Sequence, residues 1–305
     1  MLYVELVSKK LLINDIPVIE IIPRELQEQD APLIVFYHGW TSNKINGAGF
    51  GESIARFGFR VVVPDCVYHG ERNITPLEMW DAHFLFLSIM ETATEFGKII
   101  NYYRTKQLIS NNFYCAAGVS MGGLIANILI RKYPGIKAAG IFMASPQLQK
   151  FAEWVSFVGL KDIFKVTKEF YPEIKLPDEN LQLGIINKES DLIMELLPRL
   201  ENFDLSLQPE LIAGRPMFYW HAQPDLLMPY DFTVEFYEKI KDLPEAKYVY
   251  FKGDVEGSHF VPLIETRRLA LFLKNSYQAL ALPNSQIAKK DIWQLTNEQI
   301  LEFVC

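Results

Sequence analysis

The stretch CAAGVSMGGLIANILI, residues 115–130, decides the fold. Ser120 stands between two apolar runs, with Gly118 two residues before it and Gly122 and Gly123 just after it. This pattern predicts a strand that turns sharply into a helix, and in that context the G-x-S-x-G spacing predicts a nucleophile elbow with the serine at its tip. Without partners elsewhere in the chain, the same residues would be only a glycine-rich turn.

Short apolar runs recur on both sides of this elbow. Residues 32–39 (PLIVFYHG) and 60–65 (RVVVPD) have the continuous apolar character of strands that are buried on both faces of a parallel sheet. YVELVS and IPVIEII, joined by INDI, predict an antiparallel pair. The other strand candidates are residues 113–119, 138–145, 216–222 and 247–253; the helix candidates are 47–58, Pro76 to about Leu108, 121–133, 230–241 and 262–280. Together they predict an α/β fold with a mostly parallel eight-stranded sheet covered by helices on both faces.

The chain divides where the spacing between strands changes. Residues 147–214 separate the sixth strand from the seventh, too far for a simple crossover, and their helical patterns predict a small cap inserted over the sheet. We expect a core of residues 1–146 and 215–282 and a C-terminal extension of residues 283–305. In the extension, Thr296 with Glu298 or Gln299 predicts a short helix, interpreted as a surface helix with a docking or dimer contact as the alternative.

Composition narrows the class of function. A net charge of −7 and a pI of about 5.4 give no reason to expect nucleic acid or an anionic membrane as a partner. Three scattered cysteines make neither a disulfide framework nor a zinc-binding pattern. With no recognisable secretory signal and no membrane span, we expect a cytoplasmic protein that uses no metal or organic cofactor.

A serine hydroxyl needs a base, and the chain has five histidines. His259, in GDVEGSHFVP, follows the last strand, which is the order that the elbow architecture requires. His221 lies in or at the end of a strand and is interpreted as structural, and His83, on the long helix, as an ordinary polar residue. Asp225, four residues after His221, is the predicted acid that orients His259, and Asp231 is the second choice.

Acyl transfer also needs donors for the oxyanion. The turn YHGW follows the third strand and predicts the backbone N–H of Trp40 as one donor, with His38 and Gly39 shaping the turn. The backbone N–H of Met121 is the other. A second His-Gly pair lies in PDCVYHGER, residues 64–72, where we expect mutual hydrogen bonds and ion pairs among Asp65, His69, Glu71 and Arg72, beside a buried inert Cys66.

These motifs, in this order along residues 16 to 280, resemble a bacterial serine esterase of the α/β-hydrolase superfamily, in the dienelactone-hydrolase-like and prolyl-oligopeptidase-like branch. The resemblance implies an α/β-hydrolase fold, a triad of Ser120, Asp225 and His259, and an oxyanion hole from Trp40 and Met121. Because dienelactone hydrolases themselves carry cysteine at the elbow, the serine implies esterase chemistry rather than that exact activity.

We therefore expect hydrolysis of a small-molecule carboxylic ester with a short acyl or aryl group. An apolar cover is suggested by the aromatic residues of the cap, which are Phe151, Trp154, Phe157, Phe164, Phe170 and Tyr171. A thioesterase, an acyltransferase or a small-peptide hydrolase would use the same residues, and a non-catalytic binding protein of this fold is the alternative from another class. A homo-oligomer is left open.

Overall fold

One mixed sheet of eight strands organises the part of the chain that the computed structural model describes, which is residues 4–73, 82–170, 176, 178–281 and 292–304. The strands are β1 (Leu6–Ile13), β2 (Ile16–Pro23), β3 (Ala31–Tyr37), β4 (Arg60–Pro64), β5 (Ile109–Val119), β6 (Ala139–Phe142), β7 (Met217–Ala222) and β8 (Val249–Asp254). Their order across the sheet is β1-β2-β4-β3-β5-β6-β7-β8. The pairs β1–β2 and β2–β4 are antiparallel. The pairs β4–β3, β3–β5, β5–β6, β6–β7 and β7–β8 are parallel. The predicted fold class is confirmed.

Helices cover both faces of this sheet. They are α1 (Lys44–Ala55), α2 (His83–Thr105), α3 (Met121–Lys132), α4 (Leu148–Trp154), α5 (Leu160–Phe170), α6 (Glu179–Leu200), α7 (Tyr230–Ile240), α8 (Leu263–Ala281) and α9 (Asn297–Leu301). Val62 of β4 is buried in the cluster that includes α2 and α3, whereas Val61 and Val63 are buried in the cluster that includes α1 and α8. Successive side chains of a strand point to opposite faces, so a strand between two helical layers is apolar at every position.

The first strand differs from its prediction because it lies at the edge of the sheet. It begins at Leu6 and continues through Lys9 and Lys10 to Ile13, rather than ending near Ser8. An edge strand with one partner exposes alternate side chains, so lysines are tolerated within it. The predicted antiparallel pairing with β2 is confirmed, and the turn at Asn14 and Asp15 uses positive φ angles of 46° and 66° as tight hairpins do.

The start of the first helix also depends on local chemistry. Helix α1 begins at Lys44, before the predicted residue 47, because the Asn43 side chain accepts hydrogen bonds from the backbone N–H groups of Ile45 and Asn46 at 2.9 and 3.1 Å. The predicted start of the long helix at Pro76 lies outside the described residues. Within the described ranges, no helix combines the length and apolar character needed to cross a bilayer.

The C-terminal tail lies on the surface and is anchored to the core on one side, as the docking alternative expects. Thr296 and Gln299 form the capping box that starts α9. Ile292 and Ile300 are buried in the same cluster as residues of α8, and Arg268 of that helix donates to the backbone oxygens of Trp293 and Leu295 at 2.9 and 3.1 Å. Apolar burial and these charge-assisted bonds hold the tail on the core.

Candidate active site

The elbow forms where β5 ends and α3 begins. Ser120 has φ of 55° and ψ of −118°, a strained conformation for a residue with a side chain, and its N–H donates to the backbone oxygen of Phe142 at 2.9 Å. The flanking glycines permit the turn. A Cβ atom at Gly118 would lie 2.4 Å from the backbone carbon of Gly122, and one at Gly122 would lie 2.0 Å from the backbone oxygen of Tyr37. Strand β5 and helix α3 can therefore approach each other this closely only because Gly118 and Gly122 have no side chains.

The predicted base and acid are joined by a hydrogen bond. His259, in the loop after β8, donates from Nδ1 to Oδ2 of Asp225, in the loop after β7, at 2.7 Å. The carboxylate is fully buried and the imidazole side chain is 21% exposed. Because Nδ1 carries the proton, Nε2 of the neutral ring is available as a base. Asp231 lies exposed in the first turn of α7 instead.

The Asp225 carboxylate is held by further donors. Its Oδ1 accepts from the backbone N–H groups of Leu227 and Met228 at 2.9 and 3.0 Å. Burial alone would raise the pKa of Asp225, but the charge of His259 and the hydrogen bonds from His259 and His221 outweigh it and hold the pKa well below its usual range. The acid is therefore an anion throughout the neutral pH range.

His221, interpreted from the sequence as structural, contacts this acid directly. Its Nε2 lies 3.2 Å from Asp225 Oδ2 and 3.1 Å from the backbone oxygen of Met228, and its Nδ1 lies 2.9 Å from Thr233 Oγ1. Both acceptors near Nε2 fix the proton there, so the Thr233 hydroxyl donates to Nδ1. Two histidines thus share one carboxylate. The sequence places Asp225 four residues after His221, but this spacing alone does not indicate the contact.

The two predicted oxyanion donors lie beside Ser120. A Cβ atom on Gly39 would be 3.8 Å from Cβ of Ser120, which brings the turn after β3 against the elbow. The N–H of Trp40, the next residue, has no hydrogen-bond partner among the described residues. Met121 is the first residue of α3, where the backbone N–H groups of a helix lack internal partners.

The elbow and the His259–Asp225 pair are not joined by a hydrogen bond, since none between Ser120 Oγ and His259 Nε2 is found among the described residues. Both nevertheless lie at the same edge of the sheet. Parallel strands β5 to β8 bring their carboxyl ends to one edge, which places the loops of Ser120, Asp225 and His259 there. Catalytic hydrogen bonds are often long in unliganded enzymes and shorten when substrate binds. The described residues contain no group of three side chains with metal-binding geometry.

The predicted hydrogen bonds within the second His-Gly loop are present, since Asp65 accepts from the backbone N–H of Glu71 at 3.0 Å and from Arg72 Nη1 at 3.2 Å, but the ion pairs differ from the prediction. Asp65 is fully buried, and its carboxylate accepts from the backbone N–H and the Nζ of Lys44 at 2.8 and 2.5 Å. Glu71 pairs with the same Lys44 Nζ at 2.8 Å, and Arg72 forms two bonds to Glu95 on α2. The ion pairs therefore run outward to α1 and α2 rather than among the four residues of the loop.

Cys66, in the same loop, is the inert thiol that the sequence predicts. Its side chain is completely buried, and burial raises its pKa well above the ordinary value. A thiol that stays protonated is a poor nucleophile.

The helices between β6 and β7 contact the core through α2. Glu189 of α6 is 99% buried and accepts from both the backbone N–H and the Nδ1 of His83, the first residue of α2, at 3.0 and 2.7 Å. Of the aromatic side chains suggested as a cover, Phe151 and Phe164 are buried in the main cluster, whereas Phe157 is 62% exposed. The side chains of Phe170 and Tyr171 lie outside the described residues.

Known proteins resemble this chain in both sequence and fold. The dienelactone hydrolase family matches residues 21–154. The chain is 31% identical to the putative esterase YitV of Bacillus subtilis over 254 residues, which are 82% of this chain and 91% of that protein. The chain belongs to the dienelactone hydrolase family. Esterase YjfP of Escherichia coli is 21% identical to this chain over 244 residues, 80% of this chain and 88% of that protein.

Solved structures support the fold at low identity. TT1662 from Thermus thermophilus has a TM-score of 0.66 and 15% identity, covering 90% of this chain and 99% of that one. A cold-adapted esterase from an Arctic intertidal metagenomic library has a TM-score of 0.56 and 14% identity, covering 90% and 95%. The protein is an α/β hydrolase of an esterase-type family.

Proposed function

We propose that this protein hydrolyses carboxylic esters of small acyl or aryl groups through an acyl-enzyme on Ser120. The observation that carries the proposal is the 2.7 Å bond from His259 to Asp225, at the sheet edge that also holds the elbow. An imidazole oriented by a buried carboxylate is the base that a serine hydroxyl needs. The esterase names of two relatives support the same bond type.

In the proposed mechanism, His259 acts first as a base and then as an acid in each half-reaction. His259 Nε2 takes the hydroxyl proton as Ser120 Oγ attacks the acyl carbonyl, and Asp225 stabilises the imidazolium that forms. The N–H groups of Trp40 and Met121 donate to the oxyanion. His259 then protonates the departing alcohol, and a water molecule, activated in the same way, releases the acid.

His221 completes the support of the acid in this proposal. Its Nε2 proton and the two backbone N–H groups of Leu227 and Met228 keep the carboxylate from turning away from His259. A fixed carboxylate holds the imidazole in one tautomer with Nε2 toward the serine.

The division into a core of residues 1–146 and 215–282 and a cap of residues 147–214 belongs to the same proposal. Helix α4 begins shortly after β6, at the edge where the candidate site lies, and α6 packs on α2 through the Glu189–His83 contact. A cover at this place would set which acyl group fits.

The test is turnover of p-nitrophenyl acetate by the Ser120→Ala variant. We expect loss of at least about 10³-fold in kcat, because the nucleophile is gone, with an unchanged circular dichroism spectrum and Tm. Full activity in a folded Ser120→Ala protein would end the proposal. A panel of p-nitrophenyl esters of increasing length, with acyl-thioesters beside it, would then define the substrate class.

A further inference from the structure

Two histidines outside the proposed triad exchange hydrogen bonds between the two His-Gly loops. His38, after β3, accepts the backbone N–H of Cys66 on its Nε2 at 3.1 Å. His69, in the loop after β4, accepts the backbone N–H of Thr41 on its Nε2 at 3.2 Å. The rings lie 5.3 Å apart, and both residues are almost fully buried. Each loop therefore holds a backbone amide of the other, an arrangement called here the histidine clasp.

These bonds determine the protonation of both rings. A backbone N–H can only donate, so each Nε2 must be an unprotonated acceptor. The proton of each ring then lies on Nδ1, which donates to Gly39 O at 2.8 Å in His38 and to Val67 O at 2.9 Å in His69. Burial lowers the pKa of His38 to about 4 and also lowers that of His69, in agreement with neutral rings.

The clasp holds the peptide unit that carries the proposed oxyanion donor. Gly39 O accepts from His38 Nδ1 and also from the backbone N–H of Ser42 at 3.3 Å. In a trans peptide the C=O of Gly39 and the N–H of Trp40 lie in one plane and point in opposite directions. Fixing the oxygen on the histidine side therefore turns the N–H of Trp40 to the other side.

Backbone strain in both loops shows why such support is needed. Thr41 has φ of 60° and Tyr68 has φ of 64°, a left-handed conformation that is rare for any side chain and a clear outlier for β-branched threonine. Strained residues persist only where their surroundings hold them. At Thr41 the bond to His69 does so, and the His69 loop is in turn anchored through Asp65 to the buried Lys44.

We propose that His38 and His69 are positioning residues that lock the turn at Gly39–Thr41, so that the N–H of Trp40 stays aimed at the oxyanion. The inference rests on the proposed function, since the aimed N–H matters only if an oxyanion forms at Ser120. Neither histidine touches the reacting atoms; both act through the backbone of the turn.

The experiment compares His69→Leu with His69→Gln in p-nitrophenyl acetate hydrolysis. Leucine removes the acceptor for the Thr41 N–H, whereas the amide oxygen of glutamine can replace it. We expect His69→Leu to lower kcat by about 10- to 100-fold with little change in KM, because an oxyanion donor acts in the transition state. His69→Gln should recover most of the loss. The matched control is Tyr68→Phe, which removes a bond to Glu91 from the same loop without touching the clasp and should keep wild-type kcat.

Wild-type kcat in His69→Leu, or a glutamine variant no better than leucine, would overturn the clasp while leaving the proposed function intact. Activity in Ser120→Ala would instead remove the proposed function itself.

If His69→Leu does not fold, ring-nitrogen NMR of the 15N-histidine-labelled His83→Gln/His259→Gln protein gives the answer at neutral pH. Three histidines then remain, and we expect two neutral rings protonated on Nδ1 and one, His221, protonated on Nε2. Two rings protonated on Nε2 would overturn the proposal.

Discussion

At the scale of single residues, the buried Asp225 carboxylate is the group on which the candidate site depends most. It accepts from His259, His221 and two backbone N–H groups, and it has no contact with solvent. Asp231, six residues later, differs only in where the chain puts it, because it is exposed in the first turn of α7. Asp225 and Asp231 can therefore be compared by the same substitution.

We expect Asp225→Asn to lower kcat by about 10²- to 10⁴-fold, because an amide can donate to His259 Nδ1 and force the wrong tautomer. Asp231→Asn should remain within about twofold of wild type, since the helix end loses only a screened surface charge. Steady-state kinetics of the two purified variants measure this. An equal loss of kcat in both variants, or a larger loss in Asp231→Asn, would show that Asp225 is not the carboxylate that orients His259.

Some residues of the candidate site could be predicted from the sequence and others could not, for a physical reason. Ser120 and His259 follow from a motif and from chain order. The contact of His221 with Asp225, and that of Glu71 with Lys44, depend on which way a side chain points at a strand end or in a loop. Side-chain direction there is set by packing from distant parts of the chain, and the local sequence carries no signal for it.

At the scale of elements, the parallel strands were predictable because helices on both faces make every position apolar. The ends of elements were less predictable. The edge strand β1 continues through Lys9 and Lys10, although these residues interrupt its apolar pattern. Helix α1 begins three residues earlier than predicted because Asn43 caps it. The start of the tail helix at Thr296 was predicted correctly. The buried apolar residues in the part of the tail that the structure describes are Ile292 and Ile300, which lie eight residues apart and form no helical period.

Helices α2 and α6 are joined by a contact that local patterns do not reveal. The Glu189 carboxylate serves as the acceptor for the first backbone N–H of α2 and for the His83 ring. A carboxylate is favourable at a helix N-terminus, and a buried one needs its partners.

We therefore expect His83→Ala to destabilise α6 locally by about 2 kcal/mol, because the buried carboxylate loses a charge-assisted bond. Hydrogen exchange of residues 179–200 should accelerate, while β5 and α3 keep their protection. Glu195→Gln, an exposed position on the same helix, is the control and should change little. Unaltered exchange in His83→Ala would show that other contacts hold α6.

At the scale of the whole molecule, the histidine clasp links acid sensitivity to the fold. His38 is 99% buried with its pKa lowered to about 4 by burial, with His69 and Lys44 lowering it further while Gly39 O and Asp65 raise it. The unfolded chain, with an ordinary histidine, binds more protons than the folded one between pH 6.5 and 4. The free energy of unfolding must then fall as the pH falls through this window.

We expect His38 to contribute a loss of about 3 kcal/mol of stability between pH 6.5 and pH 4, from 1.36 kcal/mol per unit of pKa. His69 adds a loss of the same sign. Asp225 does not contribute there, because a carboxyl with a depressed pKa loses its stabilising effect only below about pH 4. Urea unfolding at several pH values measures the slope, and His38→Asn should flatten it. Identical slopes in the two proteins would mean that His38 is not held neutral.

The most direct test of the central claim is the stoichiometry and site of phosphonylation by a fluorophosphonate probe. Only a serine whose proton is taken by a base reacts quickly with such reagents. We expect the native protein to gain one phosphonyl group per chain, mapped by peptide mass spectrometry to Ser120, with labelling abolished in Ser120→Ala and strongly slowed in His259→Gln. An unlabelled native protein, or label on a different serine, would contradict the claim that the loops after β5, β7 and β8 build one nucleophilic site.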